Sequence, residues 1–172
     1  MELLIPGLIL VALMVYASTK IKKNAALAYE REKIETPEFL IVKPDGFICP
    51  VDHSEELLFA AYSKEYGREQ AESVRQASAE IKAFAGHDFE EVCERARNGS
   101  ARVISEDFGT LSGAKCCILE AEQVDNGITF DVLHKIMAGD GKVYELTVSV
   151  LPEHKDDYSR KIDELAGSFT LK

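Results

Sequence analysis

Cys49 and His53 stand four residues apart in Cys-Pro-Val-Asp-His, the start of a metal site, since thiolate and imidazole are both good zinc ligands. A closed zinc site needs about four ligands, and Cys93, His87, His134 and His154 show no paired spacing that would complete it. Cys116 and Cys117 form a vicinal pair. On a strand their side chains point to opposite faces, so they cannot chelate one ion; one is expected in the core and the other on the far face. A Cys–His nucleophilic site would need a third, orienting group, which the sequence does not place. The acidic pairs Glu90-Glu91 and Asp156-Asp157 each open a helical pattern, where the helix dipole accounts for them. There is no Gly-rich phosphate loop, no G-x-S-x-G and no H-E-x-x-H. The expectation is therefore no metal, no cofactor and no catalytic centre, with Cys49, His53, Cys116 and Cys117 as the weak candidates for chemistry.

Charge narrows the partners. The 172 residues carry a net −10, and all of it lies after residue 38, because the acidic and basic groups of residues 1–38 cancel. A body this acidic lacks the clustered Lys and Arg that phosphate backbones require, which excludes nucleic acid. Its 46% hydrophobic content is enough for a packed core.

The N-terminus is different in kind. Leu3 to Ser18 contain no charge, and extension to Ile21 gives a helix of roughly 28 Å, close to the thickness of a hydrocarbon core. A cleaved signal peptide would have a basic start, but the only charged side chain before the run is Glu2. A core helix would have a polar face, and the run has none. Residues 1–21 thus read as an uncleaved single-pass anchor, with the bilayer as a partner. Lys20, Lys22 and Lys23 follow the span and no Lys or Arg precedes it, which places the body in the cytoplasm at the cell membrane. Residues 22–38, rich in helix formers up to Thr36-Pro37, read as a helical juxtamembrane stalk.

Residues 39–172 read as one soluble α+β domain, an antiparallel meander packed with helices. Phe39–Val42 is a strand before the Pro44-Asp45-Gly46 turn, and Leu57–Tyr66 is a second strand. Residues 68–85 fit either a helix (Val74, Ala77, Ile81) or a strand (Ala77, Ala79, Ile81, Ala83), with composition favouring the helix. Asp88 with Glu91 three residues on resembles a capping box for a helix to Asn98, and Gly99 suits its C′ position. A short strand at Arg102–Ser105 precedes three long ones, separated by turns at Asp125-Asn126-Gly127 and Gly139-Asp140-Gly141. Phe130 and Val132 on one strand, with Leu146 and Val148 on the next, are expected to build the core. A helix from Asp156 to Leu165 ends near Gly167.

The order of Lys43-Pro44-Asp45-Gly46-Phe47, a Phe89-Glu90-Glu91 helix, Gly-Lys-Val-Tyr-Glu-Leu-Thr at 141–147 and Ser168-Phe169 resembles the PsbP-like α/β/α sandwich. That fold is shared by PsbP oxygen-evolving subunits, Ran-binding Mog-type proteins and bacterial DcrB-type proteins. The resemblance covers Phe39 to Leu171. It implies that Ala77–Ala83 is a strand and that the domain is a non-enzymatic binding or assembly protein; no site residue carries over. Function on this reading is a non-catalytic, membrane-tethered interaction or assembly module. The alternative is a tethered domain that binds a small or lipid-derived ligand.

Overall fold

The computed structural model describes the backbone of residues 4–172 other than 52, 53, 55, 69 and 70, and the side chains of these residues other than 4–12 and 24. Helix α1 spans Leu4–Leu27. Much of the anchor expected over residues 1–21 falls on side chains outside the described residues. Among the described residues, no helix is long and apolar enough to cross a membrane.

The helical stalk expected to residue 38 ends early. Glu32–Glu35 is strand β1, paired antiparallel with β2, Phe39–Lys43. Helix propensity is a weak prior that tertiary contacts override, and here three contacts win. Ile34 packs onto the core. The Gly46 N–H donates to Tyr29 O at 2.7 Å. The buried Lys43 ammonium donates to Ala28 O at 2.6 Å, just past the helix end.

Strands β3 (Phe47–Ile48), β4 (Leu57–Ser63), β5 (Ala77–Ala85), β6 (Arg102–Leu111), β7 (Ala114–Asp125), β8 (Ile128–Ala138) and β9 (Lys142–Val150) form one antiparallel sheet in the order β3-β4-β5-β9-β8-β7-β6. The Asn126-Gly127 turn has φ of 50° and 81°, the double left-handed conformation a two-residue hairpin loop demands. Ser112-Gly113 (54°, 87°) makes the same turn between β6 and β7.

Residues 77–85, for which composition favoured a helix, are a strand. Ala77, Ala79 and Ile81 point into one core, and β5 is held by β4 on one side and β9 on the other. β6 is ten residues long rather than the short strand expected. It lies at the sheet edge, where Glu106, Asp107 and Gly109 cost little because one flank faces solvent.

The helices cover opposite faces. α2, Phe89–Asn98, lays Phe89, Val92, Cys93 and Ala96 on Cys117, Leu119 and Ile136. Asp88 precedes it in extended conformation but its side chain makes no capping bond, and Gly99 closes it at φ −76° rather than in the left-handed C′ form. The first-turn carboxylates Glu90 and Glu91 complement the dipole instead. On the other face lie α3, Lys155–Ser168, and a three-stranded sheet β1-β2-β10, where β10 is Thr170–Leu171. Their shared core holds Phe39, Ile41, Phe47, Leu146, Val148, Tyr158, Leu165 and Phe169. Gly167 lies inside α3 rather than ending it.

Candidate functional site

Among the described residues, those singled out in the sequence do not converge. Cys49 is half-buried beside the α3-side core, and burial pushes its thiol pKa up. His53 lies outside the described residues. Cys116 and Cys117 do point to opposite faces, but both are buried: Cys116 in the core under α3, Cys117 in the core under α2. The far face is covered by a helix, so neither thiol meets solvent. Cys117 lies within hydrogen-bonding reach of Cys93, whose pKa is pushed up to about 12, mainly by burial. Thiolate is the reactive and metal-binding form, and burial suppresses it at all four free cysteines. Among the described residues no group of three or more His, Cys, Asp or Glu side chains is arranged to hold a metal. Lys20, Lys22 and Lys23 are exposed on the C-terminal part of α1.

Two other features stand out. The first is a cleft of about 630 Å³ on the α2 face, where the helix leaves parts of β4, β5, β7, β8 and β9 uncovered. Alternate residues of those strands supply its polar floor. Glu80, Thr147 and His134 form one cross-strand row, and Ser78 and Ser149 another. His134 is 3% exposed. Its Nδ1 lies 2.8 Å from Glu145 Oε1 and its Nε2 3.1 Å from Gln123 Nε2. A neutral imidazole protonated on Nδ1 satisfies both contacts, donating to the carboxylate and accepting from the amide. The Thr147 hydroxyl lies 3.4 Å from Nδ1, the nitrogen that Glu145 already engages at the shorter distance. Tyr62 donates to Glu80 over 3.4 Å, and burial together with that carboxylate raises its pKa. At the rim Arg75 stacks on Tyr66 and Arg95 on Phe84. Phe130, expected in the core, is instead a half-buried wall of this cleft.

The second feature is the β6 edge. Outside α1, nine large apolar side chains among the described residues are exposed, and six of them stand on β6 or β7: Val103, Ile104, Phe108, Leu111, Ile118 and Val124. Phe108 is 59% exposed and meets Phe89 edge-on, with ring centroids 6.5 Å apart. Among the described residues only β7 pairs with β6, which leaves the outer flank of its backbone without a strand partner there. Neither Lys nor Pro occurs within the strand; its edge protection is Arg102, Glu106, Asp107 and the irregularity between Val103 and Ser105, which leaves the stretch from Phe108 to Leu111 without a charge. Reading Arg102–Ser105 as a short strand hid this surface; the legible signal was the Ser112-Gly113 hairpin turn.

No family model matches the sequence, and no curated protein matches it. Solved structures match the fold. PsbP (CyanoP) from Synechocystis sp. PCC 6803 superposes with a TM-score of 0.56 at 15% identity, over 83% of this chain and 92% of that one. LpqN, involved in cell envelope biogenesis of Mycobacterium tuberculosis, gives 0.58 at 14% identity, over 83% and 91%. The Saccharomyces cerevisiae Ran-binding protein Mog1p gives 0.54 at 11% identity, over 83% and 96%. The chain has the PsbP-like fold: antiparallel sheets sandwiched with helices.

Proposed function

We propose that this chain is a non-catalytic interaction module, tethered to the cell membrane through residues 1–21, with its body in the cytoplasm and the β6 edge as its docking surface. One observation carries the reading: among the described residues, four of the body's nine exposed large apolar side chains stand on one long edge strand, β6, and two more on its neighbour β7. Such an edge is a template for an added strand, with main-chain hydrogen bonds giving affinity and flanking side chains giving selectivity. That one structural neighbour is a Ran-binding protein is an analogy of fold alone.

The module is tested in its own membranes with a photoreactive residue in place of Thr110, against a control in place of the exposed Arg160 on α3. A discrete adduct from position 110, absent from 160 and lost on Phe108→Glu, is the expected result. Equal labelling at both positions contradicts it. The tether is tested separately by a cytoplasm-dependent reporter fused to Lys172. Activity is expected there from the positive charge of Lys20, Lys22 and Lys23 after the span, and activity only from an exported-side reporter overturns the topology.

The cleft supports a second reading, a domain that binds a small polar ligand, because its volume falls within the range of ligand sites. Saturable stabilisation of the full chain by a polar small molecule, abolished by His134→Phe in a variant that still unfolds cooperatively, would favour it.

A further inference from the structure

The exposed edge can be matched against its own copy in one register. We infer that β6 pairs antiparallel with β6 of a second copy about a two-fold axis through Phe108, joining two seven-stranded sheets into one. The inference rests on the docking reading above and names the occupant.

Symmetry and charge select the register. A two-fold axis that pairs a strand antiparallel with itself stands perpendicular to the sheet. It keeps each face on its own side, and because side chains alternate along a strand, opposed residues must share parity. The axis therefore passes through a residue, not between two. Axes at Val103, Ile104 or Ser105 lie within the irregularity between Val103 and Ser105, which breaks the ladder. Axes at Glu106 or Asp107 set a carboxylate against its own copy, which is destabilising directly across strands. An axis at Gly109 centres the contact on a residue with no side chain, leaves five residues in register and opposes Asp107 to Leu111. An axis at Phe108 keeps seven residues in register, Ser105 to Leu111, with Glu106 opposite Thr110 and Asp107 opposite Gly109. No like charges stand directly opposite each other there; the two Asp107 carboxylates are diagonal neighbours on the α3 face, a weaker repulsion than direct opposition.

That register also disposes of the exposed ring. Phe108 opposes Glu106 and Thr110 diagonally and its own copy directly, and it lies on the α2 face beside Phe89. The dimer lines up four rings, Phe89 and Phe108 from each copy. Aromatic cross-strand pairs are among the favourable ones. Glu106 is already neutralised by Arg97, at 2.6 Å, so it brings no free charge to the junction.

The full chain in detergent micelles is examined by sedimentation equilibrium with the detergent density-matched. Wild type is expected as a dimer and Phe108→Glu as a monomer with an unchanged unfolding transition. Under mild oxidation Phe108→Cys is expected to form a disulfide-linked dimer, because directly opposed Cα atoms lie about 4.5–5.5 Å apart, within disulfide reach. Thr110→Cys, opposite Glu106 of the other copy, is expected to stay uncrosslinked, as wild type does. A wild-type monomer at every attainable concentration overturns the proposal, as does a dimer that survives Phe108→Glu, or one that crosslinks equally at 108 and 110. If wild type is monomeric while the photo-adduct at position 110 contains a different protein, self-pairing fails and the docking reading stands.

Discussion

Phe169→Ala is expected to cost the domain about 3–5 kcal/mol, the range for removing a buried aromatic ring and leaving its cavity. The ring is 0% exposed and meets Phe39 edge-on at 6.0 Å. It is seated where α3 turns into β10, so it closes the core between the helix, the small sheet and the main sheet. Against a total stability of roughly 5–15 kcal/mol, the variant should unfold on heating roughly 10 °C or more below wild type. Phe130→Ala is the control. Its ring lines the open cleft, so its loss should cost only about 1 kcal/mol, the typical value for a point substitution. Equal effects from the two substitutions would show that the assignment of core and cleft is wrong.

Lys135→Met is expected to destabilise by about 2 kcal/mol, although it removes a charge from the interior. Lys135 is 4% exposed, and its Nζ donates to Ala166 O at 2.7 Å and Phe169 O at 2.8 Å. It thus satisfies carbonyls at the end of α3 that have no partner within the helix. Methionine replaces the aliphatic stem but strands those two buried acceptors, each costing about 1–3 kcal/mol, and the relief of ammonium desolvation offsets part of this. Burial lowers the folded pKa of Lys135 below its ordinary 10.5. Between the folded value and 10.5 the unfolded chain binds more protons, so this group's contribution to stability rises with pH and is lost as pH falls through the folded value. The wild-type advantage over Lys135→Met should therefore widen as pH climbs toward 10.5 in parallel denaturant titrations. A variant as stable as wild type contradicts the capping role, and an advantage that narrows over that window contradicts the desolvation of the ammonium.

The sequence displays some of this architecture and hides the rest for identifiable reasons. The meander is legible because Tyr144, Leu146, Val148 and Val150 alternate cleanly and Asn126-Gly127 carries its own turn conformation. β5 is ambiguous because Ala77, Ala79, Ala83 and Ala85 are strong helix formers; only pairing on both flanks makes them a strand, and that information lies in β4 and β9. Residues 32–35 are read as helix for the same reason, since β2 is what recruits them. Lys43 and Lys135 look like surface lysines until the helix ends they cap are in place. The cleft was written in Ser78-Glu80-Lys82 and Glu145-Thr147-Ser149, which have the ordinary polar alternation of a sheet facing water; α2 turns that face into a cleft by covering only half of it. Phe130 has the right type and parity for a core residue but lies beyond the helix's reach. The β6 edge is hidden because exposure depends on what is absent beside a strand, and no local pattern records that.

Amide hydrogen exchange along β6, measured on the full chain in its native membrane and again after detergent extraction at high dilution, tests the docking surface most directly. Backbone amides exchange slowly where they are hydrogen-bonded and quickly where the flank is open. In the membrane, the outward-facing amides between Ser105 and Leu111 should be as protected as those of the interior strands β7 and β8. That protection should vanish on dilution and in Phe108→Glu, while β8 and β9 stay unchanged. Fast exchange of those amides in the native membrane, indistinguishable from Phe108→Glu, would mean that nothing docks on this edge.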